Sequence, residues 1–428
     1  MESKKLKQKK YFIIVIFVVM IVIIVGGIFL VNKEIKSKKQ EQLIKEEKLR
    51  KEKLLLEIKS SYNEYVKTNK EAKLYDFKDN QYVEAGIVGK DVELILKEIE
   101  ITHDTLYFLI DNLDLYISYK DVSKLENLTV KDQVYKKYVP FDQNVVTKGS
   151  TTFYNENGLV YEINKGVELP LLIKDTDKYY VEYSKQLLYI KKDQSSLKKH
   201  ENTNEDTRTN IRTLTYHTVY DANNEKCTNT VICHPIEQFD SHMKYLSEKD
   251  YFTLRMKDLE LFLDGKIRIP KKSIVVTLDD GKYAKNAVDI VEKYKIYATY
   301  FIITSRYDVS SIQTTYMDFE SHTHNLHNNW KCSGGNQGGQ LLCEKEENVL
   351  IDLKTSQDKL GGAISLAYPF FDFNERAINL LKKSGFKLAF IGQYNTNGYA
   401  TAKTDKFKIP RKTIFSYDSL DTFISYLK

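Results

Sequence analysis

Charge of one sign is in short supply: 65 Lys+Arg stand against 59 Asp+Glu, a net +6 over 428 residues. The basic residues are also dispersed rather than gathered on one element, so the chain offers no footing for nucleic acid. Cysteine is scarce as well, with Cys227, Cys233, Cys332 and Cys343 only. Their spacings match no C-x₂₋₄-C pattern, which excludes a thiolate zinc knuckle. Each pair is close in sequence and lies in a polar, turn-rich loop, which predicts two local disulfides in an oxidising compartment, with free thiols as the alternative. Proline and glycine are absent between residues 33 and 71, and charge is absent from Tyr11 to Val31. Tryptophan occurs once, at Trp330.

What is present divides the chain into segments. Its length exceeds one domain, since domains run to roughly 100–200 residues. The run YFIIVIFVVMIVIIVGGIFLV over residues 11–31 matches the about 20 apolar residues that span a bilayer. It is longer than the apolar region of roughly 7–15 residues in a cleaved signal, and Gly26-Gly27 is followed by Ile28-Phe29-Leu30 rather than a small-residue cleavage site. It therefore reads as a retained transmembrane helix. Lys4, Lys5, Lys7, Lys9 and Lys10 precede it more densely than Lys33, Lys36, Lys38 and Lys39 follow it. That places residues 1–10 in the cytoplasm and the bulk of the chain outside, as a single-pass membrane protein.

Residues 33–71 are rich in Lys, Glu and Leu. Glu41 with Lys45, Glu46 with Arg50 and Glu47 with Lys51 are acid-before-base pairs one turn apart, each adding about 0.2–0.5 kcal/mol to a helix. We read a helical stalk. Ile35, Leu49 and Leu56 share a seven-residue repeat that Gln42 interrupts, so a solvated single helix is favoured over a coiled coil and the oligomeric state stays open. From 72 to 193 the period becomes two, with Val92, Leu94 and Leu96, and then Leu113, Leu115, Ile117 and Tyr119, on alternate positions. The 31 tyrosines suit sugar-facing surfaces and plain β-structure alike; we favour the latter. Residues 146–193, with turns at Asn155-Glu156-Asn157-Gly158 and Asn164-Lys165-Gly166, resemble a bacterial SH3-type repeat, a module that serves either to hold wall material or as a spacer.

A polar run over 194–210 reads as a linker. Beyond it, residues 211–428 alternate strand and helix: strands at 273–278, 298–303, 364–368 and 388–392, helices at 235–246, 256–263, 283–294, 344–360 and 374–383. This is an α/β pattern with parallel strands and outer helices, as a barrel or a doubly wound sheet. Chemistry in such folds gathers at the carboxyl ends of strands. Thr277-Leu278-Asp279-Asp280-Gly281 ends the apolar run Ser273-Ile274-Val275-Val276. Two adjacent carboxylates there repel one another unless a cation intervenes. Some forty residues on, Ser321-His322-Thr323-His324-Asn325-Leu326-His327 holds three of the eight histidines. Together they read as a mononuclear metal site.

TLDDG, SHTHNLH and Ala367-Tyr368-Pro369-Phe370 with Asp372 and Asn374, in that order, resemble the successive motifs of the polysaccharide deacetylases, the NodB-homology or carbohydrate esterase family 4. TYHTVYD from Thr215 and HMKYL from His242 are similar to membrane-anchored and surface members, and the likeness runs from Ile211 onward. The resemblance implies a distorted (β/α) barrel that removes acetyl groups from N-acetylated sugars with a divalent metal, usually zinc. Carried over, Asp279 is the general base, Asp280, His322 and His327 are the metal ligands, a backbone N–H near Phe370 stabilises the oxyanion, and Tyr368, Pro369 and Phe370 face substrate.

The sequence departs from the family pattern at several places. His322 and His327 are five apart rather than four, as in the exopolysaccharide deacetylase branch, and His324 between them is either a further ligand or a residue that packs or meets substrate. The Arg-x-Pro-Tyr arginine is missing; Arg411 in Ile409-Pro410-Arg411 is the candidate to orient Asp279, with a surface arginine as the alternative. The Leu-x-His motif near the C-terminus is also missing. His217 is the substitute acid, or else a core histidine. The insertion from Trp330 to Cys343 forms a loop at the cleft edge, where Trp330 either stacks on a sugar or packs beneath. The expected function is deacetylation of N-acetylglucosamine in peptidoglycan, a glycan polymer of the cell wall. The alternatives are a secreted poly-N-acetylglucosamine, favoured by the histidine spacing, and a non-catalytic wall-binding protein with a decayed deacetylase domain, favoured by the two missing motifs.

Overall fold

The computed structural model describes residues 2–102, 105–111, 113–128, 137–199, 207–392 and 398–428. Contacts divide the chain into two units, residues 1–131 with 157–164, and residues 132–156 with 165–428. The first begins with helix α1, Glu2–Ser61. This helix is long and apolar enough to cross a membrane, a test that a signal sequence also passes, and the apolar side chains described over residues 14–31 are exposed. The helix expected over 33–71 stops at Ser61, because the chain beyond it has better partners in a sheet. Tyr65–Thr68 is a strand whose Val66 is fully buried opposite Leu94, and Thr68 Oγ1 donates to Gly89 O at 2.7 Å and accepts from Val92 N at 2.8 Å. Aromatic and β-branched residues suit that half-buried pleat.

The rest of this unit is antiparallel. Strands Ala72–Lys78, Gln81–Val88, Glu93–Thr102, Thr105–Ile110 and Leu115–Ser118 place Leu74, Phe108 and Ile117 on the inner face in register. Tyr75 and Tyr116 pair on the opposite face, where Tyr82 and Tyr107 stack at 3.9 Å. Gly158–Ile163 joins this sheet beside Gln81–Val88. The module expected over 146–193 is therefore not self-contained: its middle strand groups with the first unit and its flanks with the second. In the second unit Gln143–Thr147 pairs with Glu168–Pro170 and with Ser195–Lys199, and Thr207–Arg208 pairs with Ile269–Pro270. The linker expected over 194–210 is thus strand at both described ends; Leu197 opposite Val145 supplies apolar contact that polar composition hides. Residues 200–206 lie outside the described residues, and the compact unit begins well before residue 211.

A distorted barrel follows. Strands β1 (Asn210–Tyr216), β2 (Ser273–Leu278), β3 (Ala298–Ile302), β4 (Met317–Ser321), β5 (Ser365–Ala367) and β6 (Leu388–Phe390) run parallel, each beside the next. β7 (Tyr399–Thr401) lies antiparallel to β1, and β8 (Lys412–Thr413) lies parallel to it. Phe390 bridges Ile409 in parallel, so the segment 409–413 closes the ring between β6 and β1. Every residue of β2 is buried, as expected of a parallel strand covered on both faces. Val276 and Leu278 pack with Phe239 and Met243 of α2 (Ile236–Glu248) and with Val288 and Val291 of α4 (Ala284–Tyr294). Val275 belongs to the other face, with Phe301, Phe390 and Ile409. α3 (Met256–Leu263), α5 (Glu346–Lys359), α6 (Glu375–Lys383) and α7 (Leu420–Tyr426) complete the helices of this unit among the described residues.

Candidate active site

Three strand ends meet at the carboxyl face of the barrel. β2 delivers Asp279 and Asp280, β4 delivers His322, and β5 delivers the turn at Pro369–Phe371. Asp279 N donates to Tyr216 O at 3.1 Å, which ties the first carboxylate to β1. Asp280 then takes a left-handed φ of 81°, so the two neighbouring carboxylates diverge. Gly281 follows with φ 106°, and a Cβ there would meet Ile302 Cδ1 at 3.0 Å; the turn requires glycine.

Asp279 finds its cation within the chain. Arg411 Nη1 donates to Asp279 Oδ1 at 2.6 Å and Nη2 to Oδ2 at 2.8 Å, both side chains being fully buried. Nη1 also donates to Thr277 Oγ1 at 3.2 Å. Burial pushes the Asp279 carboxyl up, but the charge of Arg411, with His322 and His217, outweighs it and holds the group below its ordinary value.

Asp280 faces imidazoles. His322 Nε2 and His327 Nε2 each lie 3.6 Å from Asp280 Oδ1, and the ligand atoms of all three residues fall within 4.8 Å of one another. His322 Nδ1 donates to Ala367 O at 2.8 Å, which leaves its Nε2 lone pair turned to the site. Burial and the neighbouring His322 push His327 down to about 4 despite Asp280, so this imidazole is neutral near pH 7. Two imidazole Nε2 atoms and a carboxylate oxygen converge. Ligands held at about 2.0–2.2 Å around a tetrahedral ion lie roughly 3.3–3.6 Å apart, so the donor set fits a divalent metal.

The loop bearing the histidines is held from behind. Asp352 of α5 accepts His324 N at 2.8 Å and Asn325 N at 2.6 Å, and Thr323 takes φ 71°. Asp352 lies in none of the sequence motifs, although a carboxylate on the buried stripe of Val349, Leu353 and Ser356 was a legible signal. His324 lies outside the ligand cluster: β4 ends at Ser321, and the imidazole Nδ1 hydrogen-bonds Thr304 Oγ1 at 2.9 Å.

Tyr368 is a correction to the expected substrate contacts, because its side chain is fully buried and its hydroxyl donates to Phe407 O at 3.1 Å. Pro369 is buried as well. Phe370 remains at the mouth, its ring 4.4 Å from that of His327. Trp330 is 53% exposed, so the packing alternative does not hold. The disulfides Cys227–Cys233 and Cys332–Cys343 are both formed. His217 is half-buried, 6.3 Å from Phe371 by ring centroids, and its Nδ1 has no partner among the described residues. Burial lowers its pKa against the pull of Asp279 and Asp280.

A family model described as Polysaccharide deacetylase matches residues 266–389. The chain is 30% identical over 209 residues to the poly-beta-1,6-N-acetyl-D-glucosamine N-deacetylase of Staphylococcus aureus, covering 44% of this chain and 69% of that protein. For the protein of the same name in Staphylococcus epidermidis the values are 28% over 210 residues, 44% and 70%. Among solved structures, the Streptococcus pyogenes deacetylase PplD in complex with acetate is matched over 51% of this chain and 98% of its own, at 20% identity and a TM-score of 0.41. Extent of identity and matched segment agree on one conclusion: the chain belongs to the polysaccharide deacetylase family.

Proposed function

We propose that this protein hydrolyses the N-acetyl groups of a poly-N-acetylglucosamine polymer outside the membrane, in a reaction that depends on a divalent metal, zinc foremost. One observation carries the reading: Asp280, His322 and His327 converge beside a separate carboxylate, Asp279, that Arg411 holds by a fork. A metal held by the three would supply Lewis acidity to the amide carbonyl and to a water. The residues of the chain supply the rest. Asp279, kept ionised by Arg411, takes a proton from the attacking water. The Phe370 N–H, bonded to nothing among the described residues, receives the negative charge that develops on the carbonyl oxygen. His217, whose Nδ1 has no partner among the described residues, hands a proton to the departing nitrogen as the C–N bond breaks, although burial lowers its pKa on balance. The products are acetate and a glucosamine amine.

The activity that the staphylococcal relatives are named for and the five-residue spacing of His322 and His327 favour the β-1,6-linked exopolysaccharide. Peptidoglycan is the second reading, which a helix α1 acting as membrane anchor and the β-rich region after it favour by keeping the barrel near the wall. Full-length protein in detergent, supplied with zinc, is expected to release acetate from poly-β-1,6-N-acetylglucosamine faster than from peptidoglycan. Chelation abolishes release and added zinc restores it, while Asp279→Asn lowers kcat by about 10²–10⁴-fold. Acetate release from neither polymer would leave the wall-binding alternative standing.

A further inference from the structure

The loop closed by Cys332–Cys343 follows directly on His327, and it is attached to the barrel at a second point. Asp372, 1% exposed, accepts backbone N–H groups of that loop: Asn336, Gln337 at 3.1 and 3.2 Å, and Gly339 at 2.9 Å. The approach is so close that a Cβ on Gly335 would lie 2.6 Å from Asp372 Cγ, and one on Gly339 3.2 Å from the Phe370 ring. Just before Asp372 the backbone does something costly: Phe370 and Phe371 take φ 59° and 60°, left-handed values that bulky residues avoid. Such a conformation persists only where its surroundings over-determine it. Here Phe371 N donates to Tyr368 O at 2.9 Å and Asp372 N to Pro369 O at 3.0 Å, while the loop packs against Phe370 from outside. The turn leaves the Phe370 N–H without an acceptor among the described residues and sets its ring beside His327.

We infer that Asp372 is a positioning residue, which joins the disulfide-closed loop to the Phe370–Phe371 turn and so holds the Phe370 N–H in place for the reacting carbonyl. The inference rests on the deacetylase reading. A carboxylate suits the task because it only accepts hydrogen bonds; an amide would turn an NH₂ toward loop N–H groups. Loss of the carboxylate lets the turn relax, and a displacement of about 1 Å at a catalytic group costs on the order of 10²-fold in rate.

The test uses full-length zinc-loaded protein and acetate release from poly-β-1,6-N-acetylglucosamine. Asp372→Asn, nearly isosteric, is expected to lower kcat by about 10–100-fold with KM within about twofold and bound zinc unchanged. A merely structural role would instead alter melting or zinc content and spare kcat in the folded, loaded fraction. The double variant Cys332→Ser/Cys343→Ser leaves Asp372 intact and is expected to lower kcat in the same direction by a smaller factor. It decides the matter if Asp372→Asn does not fold, because an unchanged kcat there overturns the coupling. A wild-type protein that releases no acetate sinks the deacetylase reading and this inference with it, whereas variants that match an active wild type overturn the inference alone.

Discussion

At the scale of single residues the decisive pair is Asp279 with Arg411. A buried ion pair is stable only when its remaining hydrogen-bonding capacity is met, and here Thr277 takes part of the Arg411 fork. Arg411→Ala leaves a carboxylate buried without compensation and is expected to cost about 3–5 kcal/mol in denaturant unfolding. Arg411→Lys keeps the charge but not the planar fork. It is expected to recover most of that stability while acetate release stays far below wild type, since a point charge does not fix the carboxylate plane. Asp279, Asp280, His322 and His327 were legible because each motif is short and local. Arg411 was legible only as one of two options, because 132 residues separate it from its partner and no local pattern says which strand end it reaches. Tyr368 was misread for the reverse reason: its motif neighbours are at the mouth, but its ring turns inward to Phe407.

At the scale of elements, α2 carries a pH dependence. His242 on this helix is fully buried, stacks on Phe423 at 4.1 Å and shares a hydrogen bond of 3.0 Å with Tyr216, while its Nε2 has no partner among the described residues. Burial pushes its pKa down to about 4, and that of His234, in the short strand Cys233–Pro235 just before the helix, down to about 3. The folded state therefore refuses protons that the unfolded chain accepts below its ordinary value near 6.5. Stability is full above that value and falls as pH drops from 6.5 toward 4, by about 1.4 kcal/mol per pH unit for each such histidine. His242→Leu is expected to flatten the slope of unfolding free energy against pH in this window by about that amount. Helices and parallel strands of the barrel were legible because periodicity and length both marked them. Ser195–Lys199 and Tyr65–Thr68 were not, because their apolar contacts come from partners 50 or more residues distant in one case and about 30 in the other, which composition does not record.

At the scale of the whole molecule, the described side chains of α1 are nearly all exposed, so the sheets after it do not depend on it for a core. Protein lacking residues 2–61 is expected to unfold at the same denaturant midpoint as the full chain and to release acetate at the same rate from soluble polymer. Fractionation is expected to find the full chain with membranes and the shortened one in solution. What the sequence could not disclose at this scale was the partition of residues 146–193, since alternation marks strands without naming the sheet that each one joins.

The closure of the barrel between β6 and β1 by residues 409–413 also has a bearing on timing. Arg411 rides on that closing segment, so its fork reaches Asp279 only when the ring is complete. A chain still being synthesised holds His322 and His327 long before it holds this arginine. The buried pair of Asp279 and Arg411 thus forms only after strands β1 to β7 have all been made.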